Sequence, residues 1–356
     1  MKLFFSENNL KRYKLKNVVS NCPICSSKSA KQMWTATCSE QAAHFLSPIK
    51  NPNQYEELKN YINYLQGSSV VSINKCLDCE FTYSYPYVAG DKRFYDLIFS
   101  RSNNYPKARW EFAESISIIN NEKLKNPKIL EIGAGDGAFL EQILSKGITS
   151  KKNITAIEYS IFGKSKIEHL GIKCLAIDIR DSENILPHEE YDFICLFQVL
   201  EHLDDIHNLM DKLKKLLSRN GRVLIAVPND KIIQFNELNG ALLDMPPNHV
   251  GRWSKLSFER YCQINGMSLI KHAVEPYSLI NSIYMMFSYR FLKKSQNKNS
   301  LEALVRYKLK GKLSWFLTRL FIIFDFLKSP NIVQKIFFQN STLGGESQLV
   351  YISKKK

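Results

Sequence analysis

Apolar and polar residues follow two alternating patterns between about residue 126 and residue 275. Short runs rich in isoleucine, leucine and phenylalanine predict buried strands. The segments between these runs repeat apolar residues at helical spacing, which predicts amphipathic helices. Strands that alternate with helices are typical of a parallel sheet with helices packed against it. The sequence therefore predicts an α/β fold.

The predicted elements of this stretch follow one another without internal repeats. Strands are predicted at residues 128–132, 154–158, 173–177, 191–197, 221–227 and 267–273, and a last strand at 348–353. Helices are predicted at residues 138–145, 160–170, 200–217 and 254–265. The fifth strand is expected to end at Pro228, which has no N–H to donate. Gly266 is expected to end the last helix, because glycine readily takes the left-handed conformation.

The stretches on either side of this core differ from it. Residues 1–88 hold five of the eight cysteines and show little periodicity, whereas residues 277–342 are helical, basic and aromatic. The predicted organisation is an N-terminal zinc-knuckle domain (1–88), a linker or helical lid (89–125), the core (126–276), a basic helical insert (277–342), and a final core strand with a tail (343–356).

A glycine-rich turn joins the first predicted strand to its helix. The segment ILEIGAGDGAFL contains Gly133, Gly135 and Gly137, where the backbone must turn tightly and approach a ligand without a Cβ in the way. Glu158 ends the next strand, and a carboxylate there can accept hydrogen bonds from both hydroxyls of a ribose. This combination predicts a site for an adenosine-containing cofactor. Because GAGDGA also fits G-x-G-x-x-A, a nicotinamide or flavin dehydrogenase is one class of enzyme that this pattern allows.

Further segments resemble the class I (Rossmann-like) S-adenosylmethionine-dependent methyltransferases. Glu131 precedes the first glycine in LEIGAGDG, and Asp178 follows the third strand in CLAIDIRD. FQVLEHLDD is similar to the segment after the fourth strand of that family, GRVLIAVPN to the fifth strand, and PPNHVGRWSKLSFERYCQINGM to the stretch before the sixth. GESQLVYISKK resembles the antiparallel last strand. The resemblance implies a seven-stranded, mostly parallel sheet with an antiparallel last strand.

The resemblance also implies where S-adenosylmethionine binds. The methionyl end would lie near Glu131 and the glycine turn, Glu158 would hold the ribose, and Asp178 with Ile179 the adenine. A helix cap is the alternative role for Asp178. Phe197 and Gln198 would line the pocket near the sulfonium. The expected cofactor-binding residues are Glu131, Gly133, Ala134, Gly135, Gly137, Glu158, Tyr159, Asp178, Ile179, Phe197 and Gln198.

Two C-x-x-C pairs lie in the N-terminal stretch, separated by 50 residues. Each pair can give two thiolates to one tetrahedral metal ion, so together they predict a closed structural zinc site. The segment KCLDCEFTYSYP also resembles the zinc-knuckle domains that precede some bacterial methyltransferases. Cys38 and His44 are alternative ligands, and the remaining cysteines are expected in the core. The predicted zinc ligands are Cys22, Cys25, Cys76 and Cys79.

Methyl transfer requires alignment and the exclusion of water, and it requires a general base only for a weakly acidic acceptor. The candidates are His202 with its neighbour Glu201 in LEHL, and His249 in PPNHVGRW; a structural role is the alternative for both histidines. Tyr105 and Trp110 could cover the site or anchor the core. FQVLEH stands where amino methyltransferases acting on nucleic-acid bases have an Asp/Asn-Pro-Pro-aromatic motif, so that activity is not expected.

The formal net charge of +15, from 49 Lys and Arg against 34 Asp and Glu, suggests an anionic partner or simply a solvated basic surface. Residues 277–328 combine apolar-aromatic helical patterns with basic residues. Such a segment can form a lid or dimer interface, or lie on a membrane as a peripheral contact. Residues 1–17 have no signal-like apolar stretch, which indicates a cytoplasmic protein, with contact at the inner face of the membrane as an option.

Three functional hypotheses follow from these observations. The first is a methyltransferase that acts on an oxygen or carbon of a small molecule or glycan precursor, such as a nucleotide sugar or polysaccharide. The second is an RNA methyltransferase that binds phosphates through its zinc knuckle and basic surface. Nucleic acid is the less expected partner, because the basic residues are not concentrated beside the knuckle. The third is a non-catalytic scaffold that binds the cofactor.

Overall fold

The structure is a computed structural model that describes residues 21–98, 106–179, 185–241, 244–297 and 299–355. The predictions made for residues 1–17 and for Tyr105 lie outside these ranges.

The strands in the described part of the chain form two sheets. The strands are β1 (Ala30–Thr37), β2 (Val70–Cys76), β3 (Thr82–Tyr85), β4 (Ile129–Ile132), β5 (Ile154–Ile157), β6 (Lys173–Leu175), β7 (Tyr191–Phe197), β8 (Leu217–Pro228), β9 (Gly251–Arg252), β10 (Met267–Val274) and β11 (Ser347–Lys354). The smaller sheet has the order β1-β2-β3-β9, and the larger has the order β10-β11-β8-β7-β4-β5-β6.

Helices surround both sheets. They are α1 (Cys38–Phe45), α2 (Pro52–Gln66), α3 (Lys92–Ile98), α4 (Trp110–Asn121), α5 (Ala138–Ser145), α6 (Ile161–His169), α7 (Ile206–Leu216), α8 (Asp230–Leu238), α9 (Lys255–Ile264), α10 (Leu279–Lys294), α11 (Leu301–Tyr307), α12 (Gly311–Lys328) and α13 (Pro330–Leu343).

The larger sheet confirms the predicted Rossmann-like α/β fold. Strands β8, β7, β4, β5 and β6 run parallel, and β11 lies antiparallel between β8 and β10. Successive residues of its central strands point to opposite faces, and both faces are buried. One face packs Leu130 and Ile194 against α7 and α9, and the other packs Ile129 and Phe193 against α4 and α5.

Two predicted helical stretches are wrong in detail. The helix predicted at 200–217 is divided into a short 3₁₀ turn, Leu200–His202, and α7, because Asp205 has a left-handed φ of 47°. In the described part of the insert, the apolar-aromatic patterns predicted α10 and α12 but not α11 and α13. Pro330 begins α13, since proline cannot donate the N–H that would continue α12.

The smaller sheet is completed by a strand from the core sequence. Strand β9 pairs with β3, and the next residue, Trp253, is fully buried against Phe81 and Phe258, with ring centroids 4.8 Å apart in both pairs. The four predicted zinc ligands belong to the same apolar cluster as the core strands or pack against it. The N-terminal sheet and the core are therefore packed as one hydrophobic unit.

We expect Trp253→Ala to lower the free energy of unfolding by about 3–5 kcal/mol, because it removes the largest buried side chain at this junction. Urea unfolding measures the loss. Trp315→Ala is the matched control: its ring is 59% exposed, so a change within about 0.5 kcal/mol is expected. Equal losses in the two variants would contradict the account of this junction.

Candidate functional site

The glycine turn lies at the carboxyl edge of β4. The chain places β5 and β6 on one side of β4 and then returns to place β7 and β8 on its other side, so the strand order reverses beside β4. In open α/β sheets such a reversal leaves a crevice in which ligands bind. The three glycines have left-handed φ values of 71°, 57° and 81°. A Cβ on Gly133 would lie 2.5 Å from Val199 Cγ2, so the turn and the residues after β7 approach too closely for any larger residue.

Glu158 fixes the shape of this turn from the neighbouring strand. Its Oε2 accepts a hydrogen bond from Gly135 N at 2.8 Å, and its Oε1 accepts one from Ser160 N at 2.7 Å. A Cβ on Gly163 of α6 would lie 2.2 Å from Gly135 O. Burial raises the pKa of Glu158, although these backbone N–H groups favour its ionised form. The carboxylate thus faces the turn.

Glu131 is a buried carboxyl group at the same edge. Its side chain is only 2% exposed, and its Oε2 has no hydrogen-bond partner in the described part of the chain. Burial, and then the charge of Glu158, raise the pKa of Glu131 well above its usual range, while Arg109 opposes the shift. An orphaned buried carboxyl beside a glycine turn fits a ligand that carries a positive charge and hydrogen-bond donors.

The other predicted cofactor residues lie in different environments. Phe197 ends β7 and packs against Phe139, with ring centroids 4.7 Å apart. Gln198 has a φ of 57°, and its side-chain amide donates to Glu111 Oε1 at 3.3 Å and Ser347 Oγ at 3.2 Å. Ala134 and Ile179 are buried, Asp178 is half-buried, and Tyr159 is exposed. Trp110 packs against the core face that contains Phe197.

The structure brings the two candidate histidines together. The rings of His202 and His249 meet edge to face with centroids 4.6 Å apart. His202 Nδ1 lies 2.7 Å from Asn248 O, and Nε2 lies 3.8 Å from Glu201 Oε1. Burial, and then the charge of His249, lower the pKa of His202 to about 3. His202 is therefore neutral at ordinary pH.

His249 has a different environment from His202. Its Nδ1 contacts Asp244 Oδ1. Burial lowers the pKa of His249, but the Asp244 carboxylate outweighs this effect and raises it overall. Glu201 is fully buried, its two oxygens accept no hydrogen bond from the described residues, and burial raises its pKa to about 7. Donor atoms of Glu201, His202 and His249 lie within 4.8 Å of one another, a spacing that would also suit a cation.

We refer to Glu201, His202 and His249, with the residues that contact them, as the histidine cluster. Two residues of this cluster were not predicted. Tyr95 of α3 places its hydroxyl 3.3 Å from His202 Nδ1, and Asp244 lies against His249. The contact of Asp244 could have been suspected from the sequence, because Asp244 lies five positions before His249. Tyr95 lies more than one hundred positions from His202, and no local pattern indicates that they meet.

The four predicted zinc ligands converge in the N-terminal sheet. Cys22 Sγ lies 3.6 Å from Cys79 Sγ, and Cys25 Sγ lies 3.6 Å from Cys76 Sγ. Thiolates at tetrahedral corners around zinc, with Zn–S bonds near 2.3 Å, would be about 3.8 Å apart. Left-handed residues, Ser26 and Glu80, follow the two pairs. The spacing and donor chemistry fit zinc, and Cys38 and His44 lie outside this four-sulfur group.

The segment that contains the glycine turn is similar to known proteins. Residues 107–272 match a family model described as a methyltransferase domain. The chain is 28% identical over 162 residues to malonyl-(acyl-carrier protein) O-methyltransferase 1 of Ilyobacter polytropus, covering 44% of this chain and 59% of that protein. It is 30% identical over 124 residues to the ubiquinone biosynthesis O-methyltransferase of Pelagibacter ubique, covering 33% of this chain and 48% of that protein. The chain thus spans about half the length of these curated relatives.

A solved structure also aligns with the chain. The crystal structure of an S-adenosylmethionine-dependent methyltransferase from Archaeoglobus fulgidus aligns over 74% of this chain and 100% of that one, with 14% identity and a TM-score of 0.42. The fold assignment rests on the strand order given above, not on this alignment. The match of residues 107–272 to a methyltransferase-domain model agrees with the class of enzyme predicted from the sequence.

Proposed function

We propose that this protein transfers a methyl group from S-adenosylmethionine to an oxygen or carbon atom of a small molecule or glycan precursor. The contact between Gly133 and Val199 carries the proposal, because it holds the glycine turn against the segment that leads into the histidine cluster. The proposed cofactor crevice and the proposed proton acceptor would thereby share one edge of the sheet.

The residues around the crevice would hold the cofactor by complementary charge and hydrogen bonding. S-adenosylmethionine, when bound, supplies a methyl group on a positively charged sulfur atom. Glu131 would attract the ammonium of the methionyl end, and Glu158 would accept hydrogen bonds from the ribose hydroxyls. Asp178 and Ile179 would contact the adenine, with Phe197 and Gln198 nearer the sulfur. The left-handed glycines leave the room that such a ligand needs.

His202 is the proposed general base. Asn248 O can only accept a hydrogen bond, so Nδ1 of His202 must carry the proton. Its Nε2 then has a free lone pair with which to take a proton from an acceptor hydroxyl or acidic carbon. A pKa of about 3 makes His202 a weak base on its own, so the nearby Glu201 carboxyl, once ionised, would have to stabilise the charge that develops on the ring. His249, whose pKa is raised by Asp244, would donate a proton or hydrogen bond to an acceptor oxygen.

The relatives favour an oxygen acceptor, since those named above are O-methyltransferases. The choice of a glycan precursor rests on the resemblance of the cysteine-rich N-terminal stretch to zinc-knuckle domains of bacterial methyltransferases. Zinc would have a structural role: four thiolates leave no open coordination position, and their cluster packs on the core.

The affinity for S-adenosylmethionine should rise with pH across the mildly acidic to neutral range, where the ligand's ammonium stays charged. Glu131 has a raised pKa in the free protein, so binding a cation must first remove its proton at low pH. Calorimetric titration in buffers of different ionisation enthalpy would detect this proton release. In Glu131→Gln the release should vanish and the affinity should become less dependent on pH. An unchanged pH dependence in this variant would contradict the role of Glu131.

His202→Asn should lower methyl transfer by about 10²–10⁴-fold while S-adenosylmethionine binding is retained, because only the proton acceptor is lost. The measurement is mass spectrometry of a cell extract incubated with purified protein and isotopically methyl-labelled S-adenosylmethionine. His169→Asn, on the exposed face of α6, is the control and should transfer label at the wild-type rate. Label found only in RNA would overturn the proposed substrate class.

The purified protein should contain about one zinc ion per chain, bound by the four cysteines of the two C-x-x-C pairs. Elemental analysis should show loss of zinc in Cys25→Ser and retention in Cys38→Ser, whose thiol donates to Ser68 O outside the group. Because the cluster packs on the core, Cys25→Ser should also lower the melting temperature. Full zinc occupancy in Cys25→Ser would exclude this ligand set.

A further inference from the structure

Helix α12 is rich in apolar residues, yet none of its 18 residues is buried. One face, which includes Phe321 and Phe326, packs against Phe291 and Phe287 of α10. The opposite face is exposed and carries large apolar side chains at helical spacing: Leu313, Phe316, Leu320, Ile323, Phe324 and Leu327. Exposed apolar side chains in a continuous stripe, unlike single ones, indicate a surface that is covered by something else.

The exposed surface continues onto the next helix. Phe337 and Phe338 of α13 are exposed, and an open groove of about 640 Å³ lies between the two helices. We refer to the exposed residues of α12 and α13 together as the outer face.

Positive charge is interleaved with these apolar residues. The Arg319 guanidinium lies 3.9 Å from the centre of the Trp315 ring, and Lys328 Nζ lies 4.1 Å from the centre of the Phe324 ring. The acidic residue of α12, Asp325, points inward and pairs with Arg290 at 2.8 Å and Lys294 at 2.9 Å. Its charge is therefore neutralised inside the insert, and the outer face of α12 presents cations.

We propose that the outer face docks on an anionic lipid bilayer surface. Aromatic and aliphatic side chains would enter the headgroup boundary, while Arg319 and Lys328 would remain at the level of the phosphates. A second copy of the chain would bring like charges together across a symmetric interface, which disfavours self-association through this face. The helices would lie on the bilayer, since none of the described helices is long and apolar enough to cross it.

Docking would place the carboxyl edge of the large sheet close to the membrane. The insert packs on α8, which directly follows β8: Met286 and Ile336 share a cluster with Phe235. Arg290 Nη1 also donates to Asn239 O, at the end of α8, at 2.5 Å. The inference does not depend on methyl transfer, because it rests only on the outer face.

The test is sedimentation of the full-length protein with phosphatidylcholine vesicles that contain or lack phosphatidylglycerol. We expect binding to the anionic vesicles, much weaker binding to neutral ones, and loss of binding with added salt. Ile323→Asp should weaken binding at least about tenfold, because it places a charge in the apolar stripe. Ile270→Asp is the matched control, since Ile270 of β10 is 50% exposed and Ile323 is 52% exposed. The control should bind as the wild type does.

Charge reversal and folding are tested separately. Arg319→Glu should also weaken binding, and more so at low salt. Circular dichroism melting should show that Ile323→Asp folds as the wild type does. No binding to anionic vesicles by folded protein would overturn the proposal, as would equal binding of Ile323→Asp and Ile270→Asp. A dimer in lipid-free solution that Ile323→Asp dissociates would likewise overturn it and assign the outer face to a second copy.

Discussion

The absence of a side chain at Gly133 is the constraint on which the candidate site depends. Val199 Cγ2 lies only 2.5 Å from where a Cβ would be, and the backbone at Gly133 has a left-handed φ. Because Val199 directly precedes the Leu200–His202 turn, this contact holds the glycine turn beside the segment that leads into the histidine cluster. Parallel pairing of β4 with β5 and β7 then brings Glu131, Glu158 and Phe197 to the same edge.

The N-terminal sheet supports this edge from outside the core. His207 of α7 contacts the carbonyl groups of Pro23 and Ile24 at 3.1 Å, within the first C-x-x-C pair. Strand β9, which pairs with β3, begins two residues after His249. Tyr95 reaches His202 from α3. A four-sulfur zinc site would thus stabilise the loops that hold both histidines, although it lies apart from them.

The sequence was sufficient to predict what depends on local pattern. The core strands could be placed from their apolar runs, because each run is only a few residues long. The glycine turn could be placed from its own three glycines, and Glu158 from its position at the end of the next strand. The division of the helix at Asp205 could not be predicted, since a left-handed aspartate leaves no mark on apolar periodicity. Tyr95 was missed for a different reason: its contact with His202 joins two distant segments. The apolar patterns of the insert did predict helices, but not which faces would remain exposed.

The most direct test of the account is a calorimetric titration of the purified protein with S-adenosylmethionine, carried out in parallel for three proteins. The account predicts that the wild type binds with 1:1 stoichiometry. Glu158→Gln should bind about 10–100-fold more weakly, as expected when hydrogen bonds to a charged group are lost. Glu168→Gln, an exposed carboxylate on α6, should bind as the wild type does. Absence of binding by the folded wild type, or equal affinity for all three proteins, would contradict the assignment of the glycine turn and Glu158 to the cofactor.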